Sequence, residues 1–422
     1  MAPDRPSKTR RGVRDWRQCT KSIFFSSFPT SQLKQWAESL RLATPEELSL
    51  SLPKGYLTYE PLAIFPSGSL SSEPGTLLHL LTAEERDILW RIVLQELSKK
   101  SGMNLTHLAV NAGIPVHKEG KNQVSSESGH AATTSETAED KNILRSPTGL
   151  RELYGHFGSA DGSAYDFDEA LWVWTRQNGI WQTWAPKWTM FSRGNVVEKA
   201  RLLDFHKAQT AESSKFPHRI LADLKTKTAV DMYAGIGYFV FSYARLGLRV
   251  LGWELNPWSI EGLRRGALRN GWAVKVVQGA DLSALSTIEA TSGNEQITIF
   301  AEDNCHAQLR LEQLRAANSK TPGKCLTVVH VNGGLLPTSE PSWASSFAIT
   351  RISDKAWLHL HDNVGIDDIE ARRQELEQRI SAWAIEEGLG RTVAVEHTMK
   401  VKTFAPGVWH CVFDVYLSKG AG

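Results

Sequence analysis

The stretch from Asp231 to Phe239, DMYAGIGYF, reads as the end of a strand that breaks into a glycine turn and opens a helix. It constrains the fold more than any other segment, because strand and helix alternate from residue 227 onward. TAVDMY is a buried strand, GYFVFSYARLG a helix ended by Gly247, and LRVLGWEL a second strand. NPWSIEGLRRGALRNG then carries a full set of helix signals: Asn256 at the N-cap, Pro257 at the first helical position, and Gly271 just past the end. A βαβα unit of this kind builds a parallel, doubly wound sheet. CLTVVHVN, ending at Asn332, and WLHLHDNV add strands, and a helix over 367–387 puts Ile369, Leu376, Ile380 and Trp383 on one face. The chain closes with TVAVEHTMKV and WHCVFDVYL, two runs joined by KTFAPG, so an antiparallel hairpin ends an otherwise parallel sheet.

At 422 residues the chain exceeds one ordinary domain, so a large core with at least one smaller unit is expected. Residues 118–145 contain no aromatic side chain and are dominated by Ser, Thr, Glu, Lys and Asn, too polar to offset their ordering entropy. Before them, AEERDILWRIVLQEL is a periodic helix with Thr82 as N-cap and Glu85 completing a capping box. After them, EALWVWTRQNGIWQTWAP places two aromatic-rich runs around Asn178-Gly179, the dipeptide a type I′ hairpin turn prefers. Its tryptophans, Trp172, Trp174, Trp181, Trp184 and Trp188, read chiefly as cross-strand core pairs, with one or two rings left to face a ligand. The expected organisation is a basic flexible arm over 1–22, a small α+β unit over 23–117, a disordered insertion over 118–146, a Trp-rich hairpin and connecting segment over 147–226, and a Rossmann-like catalytic domain over 227–422.

The first 21 residues carry seven Lys or Arg against two Asp and lack the apolar core of a signal peptide. No apolar run approaches the roughly 20 residues of a membrane helix. Cys19, Cys305, Cys325 and Cys411 have no C-x-x-C spacing, so neither a disulfide framework nor a zinc cluster is indicated and a reducing cytoplasm fits. The net charge of +2 announces no nucleic-acid partner by itself.

The turn at Gly235–Gly237 lets backbone approach a ligand, with free N–H groups at the helix start behind it. G-I-G alone is not a dinucleotide fingerprint. Glu254, at the end of the second strand and 23 residues after Asp231, adds a carboxylate suited to both ribose hydroxyls. Together with the C-terminal hairpin, this favours S-adenosylmethionine over a dinucleotide. A third acidic position should meet the adenine: Asp303 with Asn304, which can accept and donate together, or Asp281 after AVKVVQG. His359 and His361 could form half a metal site but have no partner in register, so no metal is expected. Arg264, Arg265 and Arg269 could meet RNA phosphate or simply face solvent.

The motifs LYGHFG, DFDEALWVW, NGIWQTWAPKWTMFSRGNVVEKARL, DMYAGIGYF, ELNPWSIEGLRRGALRNG, VNGGLLPTSEPSW, WLHLHDNV and VKTFAPGVWHCVFDVYL together resemble the tRNA wybutosine-synthesizing protein 2 family, especially its fungal members. The resemblance implies a class I methyltransferase-like fold that transfers the 3-amino-3-carboxypropyl group of S-adenosylmethionine. The acceptor would be demethylwyosine, next to the anticodon of phenylalanine tRNA, and methylthioadenosine would be released. It also implies ligand contacts at Ser192, Lys199, Glu254, Asp303 and Asn304, joined by Asp231 and Gly235 of the turn. Asn332 is the candidate for touching the purine. A cytoplasmic monomer is expected. Two rival readings remain at this stage, a tRNA guanine methyltransferase and a non-catalytic RNA-binding module. The chain also departs from the family, with AEDN where GDN and NGGL where NLGL are expected.

Overall fold

The computed structural model describes residues 55–70, 77–111, 150–159, 166–208, 215–318 and 326–419, together with positions 35, 36, 39 and 53. The expected arm over 1–22, the insertion over 118–146, Cys19 and Cys325 lie outside them. The chain divides into two compact units, one of residues 1–112 with 151–155 and one of 113–150 with 156–422.

The smaller unit is a four-stranded sheet in the order β1 (Leu57–Tyr59), β2 (Leu62–Phe65), β3 (His107–Val110), β4 (Arg151–Tyr154). β2 and β3 are parallel, joined by helix α1 (Ala83–Ser101), and the other pairs are antiparallel. The capping box of α1 forms as expected: Thr82 Oγ1 accepts from Glu85 N and Thr82 N donates to the Glu85 carboxylate at 2.8 Å. Gly102 ends the helix in the left-handed region. β4 follows the polar insertion in sequence and completes this sheet, whereas the sequence reading grouped it with the Trp-rich segment.

The larger unit begins with the hairpin β5 (Val173–Gln177) and β6 (Ile180–Trp184), turned by Asn178 and Gly179, both at positive φ as a type I′ turn requires. Helix α2 (Val196–Asp204) follows. Eight strands then form the central sheet: β7 (Lys227–Asp231), β8 (Arg249–Trp253), β9 (Val274–Val277), β10 (Ile297–Phe300), β11 (Thr327–Gly333), β12 (Lys355–Gly365), β13 (Arg391–Ala405) and β14 (Val408–Lys419). Their spatial order is β13-β14-β12-β11-β7-β8-β10-β9. β9 through β12 are parallel across the sheet, and β14 and β13 close it antiparallel. The order reverses at β7, between β8 and β11, which opens a crevice at the carboxyl ends of those strands.

One face of the sheet packs on α2, α3 (Val240–Arg245) and α4 (Pro257–Arg269). The other packs on α5 (Ala307–Asn318), α6 (Trp343–Ile349) and α7 (Ile369–Glu387). In α4 the Asn256 side chain accepts from Trp258 N at 2.9 Å, Pro257 opens the helix, and Gly271 lies beyond it at positive φ. On α7, Leu376 and Ile380 are fully buried while Ile369 and Trp383 are partly so; each full burial is worth about 2–3 kcal/mol. The expected KTFAPG loop is shorter than the sequence indicated. β13 runs to Ala405 with three register shifts, so Lys402, Thr403 and Phe404 are strand.

Candidate active site

The glycine turn sits where the fold opens. Gly235 and Gly237 both hold positive φ, and a Cβ on Gly237 would lie 2.5 Å from the buried Phe241 ring. Glu254, just past β8, accepts from Gly235 N at 2.7 Å through Oε2 and from Leu255 N and Asn256 N through Oε1. Burial raises its pKa, opposed by those three N–H bonds. Three of its four lone-pair sites are therefore spent on backbone, and one on Oε2 stays open. Asp231 lies fully buried beneath the turn and accepts from Tyr233 N at 3.1 Å. Burial, with the nearby Glu254 charge adding to it, pushes its carboxyl up to about 7. Asp231 thus braces the turn from below.

Tyr238, at the far end of the turn, reaches the segment Met190–Asn195. Its hydroxyl donates to Met190 O at 2.7 Å and accepts from Ser192 N at 2.9 Å. Lys199, on α2, is buried with its ammonium donating to Gln177 Oε1 and Gln182 Oε1 at 2.6 and 2.7 Å. It lies over the Phe191 and Tyr238 rings, and burial lowers its pKa to about 7. The structure thus brings Ser192, Lys199 and the glycine turn together through Tyr238, which the sequence reading passed over inside DMYAGIGYF. The helix is anchored from the C-terminal hairpin, where Asp414 on β14 accepts from Arg201 at 2.6 and 2.9 Å.

Asp303 and Asn304 follow β10, the strand adjoining β8. Asp303 caps a short turn by accepting from Cys305 N, and Asn304 Nδ2 donates to Met232 O at the end of β7. Asp281 instead heads a short helix beyond the edge strand β9. Asn332 differs from expectation: its side chain is fully buried, with Nδ2 near the Tyr243 hydroxyl at 3.4 Å, and presents no surface to a base. The two histidines of β12 are buried in polar contacts, His359 with His330 and Asp414, His361 with His410. Among the described residues no group of three or more His, Cys, Asp or Glu is placed to hold a metal.

The tryptophans and arginines also find each other. Arg265 lies 4.5 Å over Trp172, and Arg269 lies 4.1 Å over Trp174 and 5.0 Å over Trp181. Arg264 and Arg265 pair with Glu261. Two of the three arginines therefore hold the Trp-rich segment onto α4 by cation–π contact, Trp188 stacks on Trp258 of α4 at 5.2 Å, and across the hairpin Trp174 faces Thr183 and Trp181 faces Arg176. Trp184 alone of the five is fully buried, stacked on Phe191.

A mostly parallel sheet reversing at a glycine turn, with a strand-end carboxylate and a C-terminal antiparallel hairpin, defines a transferase of the class I methyltransferase-like fold. No protein-family model matches the chain. The tRNA wybutosine-synthesizing protein 2 of Schizosaccharomyces pombe is 33% identical over 376 residues, 88% of this chain and 74% of that protein. That of Saccharomyces cerevisiae is 30% identical over 403 residues, 86% and 74% of the two chains. The chain belongs to the tRNA wybutosine-synthesizing protein 2 family. Among solved structures, Pyrococcus horikoshii TYW2 in complex with MeSAdo aligns over 92% of this chain and 99% of that one, at 18% identity and a TM-score of 0.49.

Proposed function

We propose that this chain transfers the 3-amino-3-carboxypropyl group of S-adenosylmethionine to demethylwyosine beside the anticodon of phenylalanine tRNA, a step of wybutosine synthesis. Methylthioadenosine is the by-product, and the enzyme works as a monomer in the cytoplasm. The observation that carries the reading is Lys199: a buried ammonium with no carboxylate in ion-pair range among the described residues, facing the glycine turn through Tyr238. A site of that kind takes an anion, and the methionine carboxylate is one.

The donor's adenosyl part is held by Glu254, whose free Oε2 lone pair accepts from the ribose, with Asp303 and Asn304 at the adenine. Only one Nδ2 hydrogen of Asn304 is engaged, so the other is open to a ring nitrogen. Ser192 and Lys199 take the carboxylate. Asp231 supports the turn through Tyr233 N, and Asn332 lies buried against the Tyr243 hydroxyl. A sulfonium has three carbons open to attack, so holding the carboxylate decides which one meets the nucleophilic ring carbon. The new bond is carbon to carbon, the broken one carbon to sulfur with its electron pair kept by sulfur, and the hydrogen on the attacking ring carbon leaves as a proton to solvent. The leaving group is already good, so positioning supplies most of the acceleration.

The test is the by-product formed from demethylwyosine-bearing tRNA and S-adenosylmethionine, separated by chromatography. Methylthioadenosine is expected. S-adenosylhomocysteine would make the chain a methyltransferase, and tRNA binding without either nucleoside would make it a binding module.

A further inference from the structure

A second lysine points at the same place from the opposite end of the chain. Lys402 on β13 donates from Nζ to Ser192 Oγ at 3.1 Å. It is half-buried, and burial lowers its pKa. Among the described residues it has no carboxylate in ion-pair range, and neither has Lys199. Two desolvated ammonium groups flank the Met190–Asn195 segment, Lys402 on Ser192 Oγ and Lys199 over the Phe191 and Tyr238 rings, and neither has a carboxylate of the described residues in ion-pair range to balance it. Leaving such charge uncompensated is costly, so the arrangement calls for an anionic ligand.

The backbone is built to bring Lys402 there. The β13–β14 register shifts between Lys400 and Lys402, a bulge that re-aims the following side chain. Across the gap Gly194 leaves room: a Cβ at that position would lie 2.3 Å from Lys402 Cδ. Glycine at 194 and the bulge before 402 together thread the lysine stem past the Met190–Asn195 segment.

We propose that Lys402 is a second cation for the carboxylate of the transferred group, holding it jointly with Lys199 and Ser192. This rests on the donor assignment above. The carboxylate leaves with the aminocarboxypropyl group, so the two lysines grip the donor and the modified base but have no hold on methylthioadenosine. The clamp separates donor from by-product by charge alone.

The test is calorimetric binding of three probes to the full-length chain and to Lys402→Met and Lys402→Arg. The probes are S-adenosylmethionine, its decarboxylated analogue and methylthioadenosine. Loss of a charge-assisted bond should weaken S-adenosylmethionine by about tenfold to a hundredfold in Lys402→Met. The two probes without a carboxylate should bind as they do to the wild type, which also reports that the variant is folded, and Lys402→Arg should recover part of the loss. Unchanged S-adenosylmethionine binding, or equal loss on all three probes in both variants, overturns the proposal. A wild-type chain that binds methylthioadenosine but not S-adenosylmethionine overturns it too, while binding none of the three instead removes the donor assignment beneath it.

Discussion

Replacing Asp414 by Asn tests how the site is held. A buried chain of hydrogen bonds crosses the sheet to this residue. His206 Nδ1 meets Arg219 O at 2.5 Å, His206 Nε2 meets His330 Nε2 at 2.8 Å, His330 Nδ1 meets His359 Nε2 at 2.9 Å, and His359 Nδ1 meets Asp414 Oδ1 at 2.7 Å. Which ring nitrogen donates at each contact depends on the tautomers, and burial lowers the pKa of both His206 and His330. Arg201 and the histidine beside it hold the Asp414 carboxyl well below the usual range, against the opposing effect of burial. Asn keeps the shape and removes the charge, leaving buried donors without their acceptor. Breaking a buried pair in this way costs about 3–5 kcal/mol, and at roughly 2–4 °C per kcal/mol the larger unit should melt on the order of 10 °C lower. The sign with pH follows from a depressed carboxyl: its contribution is present above the unfolded value of about 3.9 and is lost as pH falls through the folded one. Thermal melts followed by tryptophan fluorescence should therefore show a constant gap between wild type and Asp414→Asn from pH 5 to 8, closing only in stronger acid. A shift under about 1 kcal/mol at pH 7 would refute the anchoring role of Asp414.

Three other outcomes are expected. Glu254→Gln removes the charge from the open acceptor and should weaken S-adenosylmethionine and methylthioadenosine alike by about tenfold to a hundredfold in calorimetry, since both carry the ribose. Lys199, held down to about 7 by burial, loses its proton as pH rises through that value, and a carboxylate prefers the protonated form. Affinity for S-adenosylmethionine should then fall by up to about tenfold per pH unit above 7, while that for methylthioadenosine stays flat; a flat profile for both would remove Lys199 from the carboxylate site. Gly237→Ala puts a Cβ into the Phe241 ring at positive φ and should cost about 2–4 kcal/mol in urea unfolding, whereas Gly271→Ala, equally left-handed but in open space, should cost about 1–2.

Much of the architecture was legible because its signals are local. Asn256, Pro257 and Gly271 bound α4, Thr82 and Glu85 start α1, and Asn178-Gly179 turns β5 into β6, each through bonds spanning a few residues. The neighbour of β8 was not legible in the same way. AVKVVQG and ITIFAEDN both form strands, and only the order in which they join the sheet places Asp303 and Asn304 at the crevice and Asp281 beyond its edge. The fates of Arg265 and Arg269 were equally hidden, because a helix face that clamps indoles and one that faces solvent carry the same residues.

The contacts that complete the site span the longest distances in sequence. Ser192 and Lys402 are separated by 210 residues, and Arg201 and Asp414 by 213. Both reach from the strands of the C-terminal hairpin to the segment that carries Ser192 and Lys199. The hairpin therefore does more than close the sheet. β14 fixes the helix that bears one lysine through Arg201, and β13 delivers the other through its bulge. In the proposed arrangement DMYAGIGYF places the adenosyl group and its Tyr238 braces Ser192 and Lys199, but the stretch itself carries no cation for the carboxylate. On the proposed reading, the charge that distinguishes one end of the donor is assembled from residues on either side of the turn in sequence, which is why a glycine motif alone cannot separate methyl from aminocarboxypropyl transfer.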